Sequence, residues 1–145
     1  ASSRARSLRV VAIGDGAVSS DNDGTALGSF ATASAFNTTA LGTLATASGV
    51  NSTAVGDDAI ASASSPGGGN SSAFGVSARA LGDLSTAIGA SALGSGVQSS
   101  AFGAVAPAAG HFSTALGVRS DATGSNNIAI GGGGAPTHYR SAASG

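Results

Sequence analysis

A glycine returns along this chain at a fixed interval. It falls at Gly14, Gly28, Gly42, Gly56, Gly75, Gly89, Gly103, Gly117 and Gly131, and every step is 14 residues except the 19 between Gly56 and Gly75. A fixed period this short requires one small structural unit stacked on itself rather than a set of distinct elements. Asn51-Ser52-Thr53-Ala54-Val55-Gly56 is the clearest copy of the unit. Only 9% of the 145 residues are charged, and small residues dominate. Without a period, that composition would indicate a disordered linker. Disorder needs no register, so the period argues for a folded rod.

The positions around each glycine predict the local structure. The preceding residue is always large and apolar: Ile13, Leu27, Leu41, Val55, Phe74, Ile88, Phe102, Leu116 and Ile130. Two before the glycine stands Ala in every copy, and three before it a β-branched residue or Ser. These residues read as a short strand ending at a residue free to take positive φ. After the glycine, small residues at the third and fifth positions flank a variable fourth, occupied by Val18, Thr32, Thr46, Ile60, Arg79, Leu93, Pro107 and Asp121. That alternation has a period of two and predicts a second strand. The seventh position, often Gly, marks the next turn. The expected fold is therefore all-β: a parallel β-roll, or solenoid, of 14-residue coils with two short strands per coil. A helical period of 3.6 would not hold Ala and Leu at fixed 14-residue spacing.

Alternation along a strand sends the invariant Ala and its large neighbour to opposite sides. We place the Ala rows inside. The roll must then be thin, with the nine large residues facing outward in a stripe roughly 40 Å long at about 4.8 Å per coil. Such a stripe exposes on the order of 400 Å² of apolar surface, near the upper end for a monomer. Burying each side chain stabilises by about 1.5–3 kcal/mol, so the expected outcome is self-association of parallel rolls around a common axis. The alternative places the large residues inside and gives a monomer, but leaves the universal Ala unexplained.

The copies at Asn126–Gly131, Asn51–Gly56, Asn37–Gly42, Asn70–Gly75 and, less closely, Arg9–Gly14 resemble the repeated Asn-Ser-Val-Ala-Ile-Gly signature of the head domains of YadA-like trimeric autotransporter adhesins. The resemblance runs from residue 9 to about 131. It implies that the parallel β-roll is left-handed and homotrimeric, with the nine large residues at the trimer interface. It implies display on the bacterial outer membrane through a C-terminal anchor, the head being the exported passenger. It also implies attachment to host cells or to matrix proteins such as collagen, fibronectin or laminin, without catalysis. The family's Val is mostly Thr or Ser here, making the expected seam more polar. Leu84, Gln98 and Phe112 replace the Asn in three coils. Residues 1–8 are read as a tail or the remnant of a preceding coil. Residues 9–131 are read as the head, and 132–145 as a flexible segment whose Thr137–Gly145 has a slight likeness to the family's neck. With no signal peptide, stalk or anchor in the sequence, the chain is read as an excised head fragment.

Other candidate features have plain explanations. The extra residues of the long step, within 64–71, predict a loop bulging from the roll, either a contact loop or a tolerated insertion without charge or aromatic anchor. Thr32, Thr46, Ile60, Arg79 and Leu93 form a candidate ligand-facing line beside Ser20, Ser34, Ser48 and Ser62; the bland reading is a hydrated sheet. Pro107 lacks the ladder's donor and predicts a local break or bulge. Asp21-Asn22-Asp23-Gly24 resembles the start of a calcium loop, but the chain has no Glu to complete one, so a turn is expected and no metal. His111 and His138 have neither metal-ligand spacing nor a nucleophile partner, and no cofactor is expected. Asn37, Asn51 and Asn70 begin Asn-x-Ser/Thr sequons, yet share one register, where stacked Asn side chains bond from coil to coil. Arg4, Arg6 and Arg9 read as a solvated terminal segment rather than a nucleic-acid arm. The chain has no Cys, hence no disulfide frame and no thiol catalysis. No apolar run is long enough to span a membrane as a helix.

Two other functions compete with adhesion. An ice-binding solenoid needs a regular exposed Thr array; the column Thr25, Thr39, Thr53, Thr86 and Thr114 is interrupted by Ser72 and Ser100. A thermal hysteresis measurement separates the two. The same roll could also be a purely structural spacer. A hexapeptide-repeat acyltransferase is excluded by its period of six and coil of about eighteen residues.

Overall fold

The structure is a computed structural model and describes residues 2–132. In chain order its strands are β1 (Arg4–Ala5), β2 (Val11–Ile13), β3 (Val18–Ser19), β4 (Thr25–Leu27), β5 (Thr32–Ala33) and β6 (Thr39–Leu41). There follow β7 (Thr46–Ala47), β8 (Thr53–Val55), β9 (Ile60–Ala61), β10 (Ser72–Phe74), β11 (Arg79–Ala80) and β12 (Thr86–Ile88). The last are β13 (Leu93–Gly94), β14 (Ser100–Phe102), β15 (Pro107–Ala108), β16 (Thr114–Leu116) and β17 (Ile128–Ile130). They form two parallel sheets. One has nine strands in the order β2-β4-β6-β8-β10-β12-β14-β16-β17, the other eight in the order β1-β3-β5-β7-β9-β11-β13-β15. The chain alternates between the sheets as far as β16, so each coil up to there contributes one strand to each. Every rung pairs a residue with its counterpart one coil on, as in Ala40↔Ala54, and the register survives the long step as Ala54↔Ala73. This is a parallel β-solenoid of about nine coils, as the period predicts.

Two tight turns close each coil. The amide of Ala45 donates to the Gly42 carbonyl at 3.3 Å, and seven residues later the amide of Ser52 donates to the Gly49 carbonyl at 3.2 Å. The third residue of each turn is left-handed: Leu44 has φ 58° and Asn51 φ 54°, as a type II turn demands. The same conformation recurs at Phe30, Asn37, Ser77, Leu84, Ser91, Gln98, Val105, Phe112, Arg119 and Asn126. Each 14-residue coil is thus two seven-residue halves built on one backbone plan. The periodic glycine has a double constraint. Gly42 has φ 136°, and a Cβ there would lie 2.3 Å from the Gly56 carbonyl oxygen above it.

The interior contains almost nothing but methyl groups. Ala26, Ala40, Ala54, Ala73, Ala87, Ala101 and Ala115 from the nine-stranded sheet meet Ala33, Ala47, Ala61, Ala80 and Ala108 from the eight-stranded sheet, all fully buried. No described side chain larger than Thr38 is fully buried. Inside and outside are as the alternation predicts, because only Ala, Ser and Gly let two sheets approach this closely. A row of hydroxyls was not anticipated in the core. Ser52, Ser71, Ser85, Ser99 and Ser113 point inward rather than only forming the turn, and all are fully buried. Ser113 Oγ donates to the Gly110 carbonyl at 2.7 Å and Ser71 Oγ to that of Ser62 at 2.7 Å. The hydroxyls of Ser19, Ser85 and Ser99 have no hydrogen-bond partner.

Pro107 produces no bulge toward the preceding coil: it stays in register with Leu93. The break falls on the other side. Thr46 donates its amide to the Ala59 carbonyl at 2.8 Å, a bond proline cannot make. The eight-stranded sheet accordingly ends at β15, and on this side the next coil forms no further strand, only the isolated bridge Ala108↔Ala122.

Candidate assembly and binding faces

The outer face of the nine-stranded sheet carries two columns. Thr, Ser and Val side chains, and Ile128 in β17, from the first position of each strand stand beside the large apolar residues from the third. Leu27 and Leu41 are each 40% exposed, Ile88 41% and Ile130 58%; Ile13, Phe74 and Leu116 are also exposed, and Val55 and Phe102 half-buried. The core has no space for these side chains, and strict register places each above its predecessor. The apolar surface also extends around the edge. Phe30, Leu44, Val76, Val105 and Val118, at the turn after the periodic glycine, are each about half exposed. Sequence reasoning missed this extension because it treated turn residues as backbone devices. The signal was present: polar residues ordinarily fill such turns.

The eight-stranded sheet presents the other face. Thr32, Thr46, Ile60, Arg79 and Leu93 are consecutive rungs of one ladder. Arg79 is exposed and the other four are half-buried; Ser20, Ser34 and Ser48 beside them are exposed, Ser62 half-buried. The ladder on this face is uncharged except at Arg79 and the terminal coils.

At the turn leading into the nine-stranded sheet, Asn37 Nδ2 donates to Asn51 Oδ1 at 3.0 Å and Asn51 Nδ2 to Asn70 Oδ1 at 3.3 Å. The three sequon asparagines therefore form a side-chain ladder that crosses the long step. The Asp21–Gly24 segment is a turn whose polar atoms are engaged. Asp21 Oδ1 accepts from the Asn22 amide at 2.7 Å, Asn22 Oδ1 accepts from Ser7 Oγ and the Leu8 amide, and Arg9 forks onto both Asp23 oxygens at 2.7 and 2.8 Å. Among the described residues no group of three or more His, Cys, Asp or Glu could hold a metal ion. His111 Nδ1 accepts from the Val97 amide at 3.2 Å, so it acts as a turn cap. His138 and the neck-like segment lie outside the described residues.

The insertion does have an anchor, and it is charged. Asp83, from the next coil, accepts at Oδ1 from the Ser64 amide at 2.9 Å and at Oδ2 from Ser65 Oγ, while its own amide donates to Ser64 Oγ at 3.3 Å. The Ser65 hydroxyl above all, helped by the Ser64 amide and hydroxyl, holds the Asp83 carboxyl below its usual range against the opposing effect of desolvation. The partner lies 18 and 19 residues away in sequence, which hid it from a reading confined to the insertion. Gly69 rejoins the roll by a parallel bridge to Val50.

Two parallel sheets in strict register define the class: a repeat protein of the parallel β-solenoid kind, whose features are surfaces and ladders. The family described as the YadA head domain repeat matches residues 11–31, 33–63, 67–94, 95–120 and 108–133, and the chain belongs to that family. Residues 64–66, between two of the matched ranges, belong to the exposed insertion. No curated protein matches the chain. The family carries an adhesin-type, non-enzymatic function; its heads are typically trimeric and belong to surface-exposed autotransporters.

Proposed function

We propose that this chain is the head region of a homotrimeric bacterial adhesin. In this reading it is a left-handed roll, held at the outer membrane through a C-terminal anchor, and it attaches to host extracellular matrix. The observation that carries the assembly is the apolar column of the nine-stranded sheet. A core limited to Ala, Ser and Thr cannot take up Leu27, Leu41 or Ile88, and a second and third copy can. Three rolls with these faces turned to a common axis bury the columns, the Thr and Ser columns forming the more polar part of the seam. Ile13, Leu27, Leu41, Val55, Phe74, Ile88, Phe102, Leu116 and Ile130 are the proposed interface. The eight-stranded face then points outward, and Thr32, Thr46, Ile60, Arg79 and Leu93 form the proposed track for a fibrous partner such as collagen, with fibronectin and laminin as the other matrix candidates.

Sedimentation equilibrium or light scattering tests the assembly: three chains are expected, and a stable monomer at micromolar concentration would overturn it. Binding of the purified fragment to immobilised collagens, fibronectin and laminin tests the attachment. A trimer that binds none of the three would reduce the head to a spacer.

A further inference from the structure

We propose that Asp83 is an acid-released latch that holds residues 64–67 of the insertion closed against the edge of the roll. Three hydrogen bonds join this one residue to Ser64 and Ser65, and two of them end on the carboxylate. Gly68 lies so close that a Cβ there would sit 2.2 Å from Asp83 Oδ1, so the loop closes around the carboxylate. The rest of the insertion, Ser64 to Gly67, is exposed, and nothing within 4 Å would meet a Cβ at Gly67. The latch is therefore the principal tertiary hold on these residues, since Gly68 and Gly69 are already tied to Val50.

The ionised carboxylate is the acceptor for both bonds, and protonation removes their charge assistance and roughly halves their strength. Ser64, Ser65 and Gly68 face it from the insertion, with Gly69 and Val97 at the same turn position in the adjoining coils; none of these titrates. The causes of its lowered pKa are the serine bonds, that of the Ser65 hydroxyl first, opposed by desolvation, with no charged neighbour among them. A carboxyl whose folded pKa is depressed contributes stability that is present above the unfolded value and lost as pH falls through the folded value. The latch therefore stays shut at neutral and mildly acidic pH and opens only below the ordinary Asp range. The inference concerns a single chain and does not depend on the assembly proposed above.

The chain has no Cys, so Pro66→Cys in the full chain gives one site for a thiol-reactive fluorophore. Its anisotropy is followed from pH 7 downward, with far-ultraviolet circular dichroism reporting the roll. The expected result is a steady signal, then a drop below the usual Asp range while the strand signal persists. With Asp83→Ala, which removes both acceptor oxygens, the anisotropy should be low and independent of pH while the strand signal persists. With Ser65→Ala, which removes one of the bonds to the carboxylate, the midpoint should move up toward the ordinary Asp range. No drop while the roll stays folded, a drop only together with loss of strand signal, or an unchanged drop with Asp83→Ala would each overturn the latch. If Asp83→Ala does not fold, the Ser65→Ala shift decides, and an unmoved midpoint overturns the inference.

Discussion

The turns and the core of this roll are governed by single residues with no tolerance in one direction. Gly42→Ala must strain a φ of 136° and place a methyl 2.3 Å from a carbonyl oxygen. We expect it to cost at least about 3 kcal/mol in reversible denaturation. The opposite case is Leu84, held at φ 59° on an exposed turn, where an L side chain is unfavourable and Asn is tolerated. Leu84→Asn should stabilise by about 1 kcal/mol, because it relieves that cost and continues the ladder of Asn37, Asn51 and Asn70 by one rung. The inward hydroxyls divide in the same way. Ser113→Ala removes a bond to Gly110 and should cost about 1 kcal/mol, whereas Ser85→Ala removes an unpartnered buried hydroxyl and should be neutral or stabilising. Equal losses at the two sites would show that Ser85 has a partner the geometry does not reveal.

For the strands, register is the organising fact. Each contributes only two or three residues, too few to be stable alone, and each exists because its counterparts lie above and below it. Pro107 tests this. Its missing donor coincides with the end of the eight-stranded sheet, although residues 120–122 continue the same pattern of small inward side chains. Pro107→Thr should restore a bond to the Ser120 carbonyl and extend the sheet by one strand. Amide exchange at Ala109 and Ala122 should slow about tenfold, the equivalent of one ordinary hydrogen bond. Unchanged exchange would place the cause of the break in Asp121 and its neighbours. At this scale the sequence was highly legible: both strands of each coil, their faces and the parallel pairing followed from which positions held small side chains. The seven-residue half-repeat was legible too, in the small buried residues at Ala45, Ser52 and Ala59, but the larger 14-residue period masked it.

For the whole molecule, the two outer faces should respond differently to charge. Leu41→Asp on the apolar column should dissociate the proposed trimer or prevent its folding, each chain losing about 1.5–3 kcal/mol of burial before the cost of the charge. Thr46→Asp, on the eight-stranded face, should leave the sedimentation profile unchanged. Equal tolerance at both positions would show that the apolar column is not the assembly surface.

By itself the sequence determined the coil, the register and the inside of this protein. A strict period is a statement about backbone stacking, and a column of Ala can be accommodated only between two close sheets. The tertiary structure decided what joins residues that the period does not relate. It turned Ser52 and its equivalents into core hydroxyls and extended the apolar column onto the edge through Phe30 and Leu44. It also brought Asp83 over an insertion that contains no anchor of its own. Those contacts depend on how far one coil's side chains reach across its neighbours, a distance set by the stacked backbone and not by the spacing along the chain.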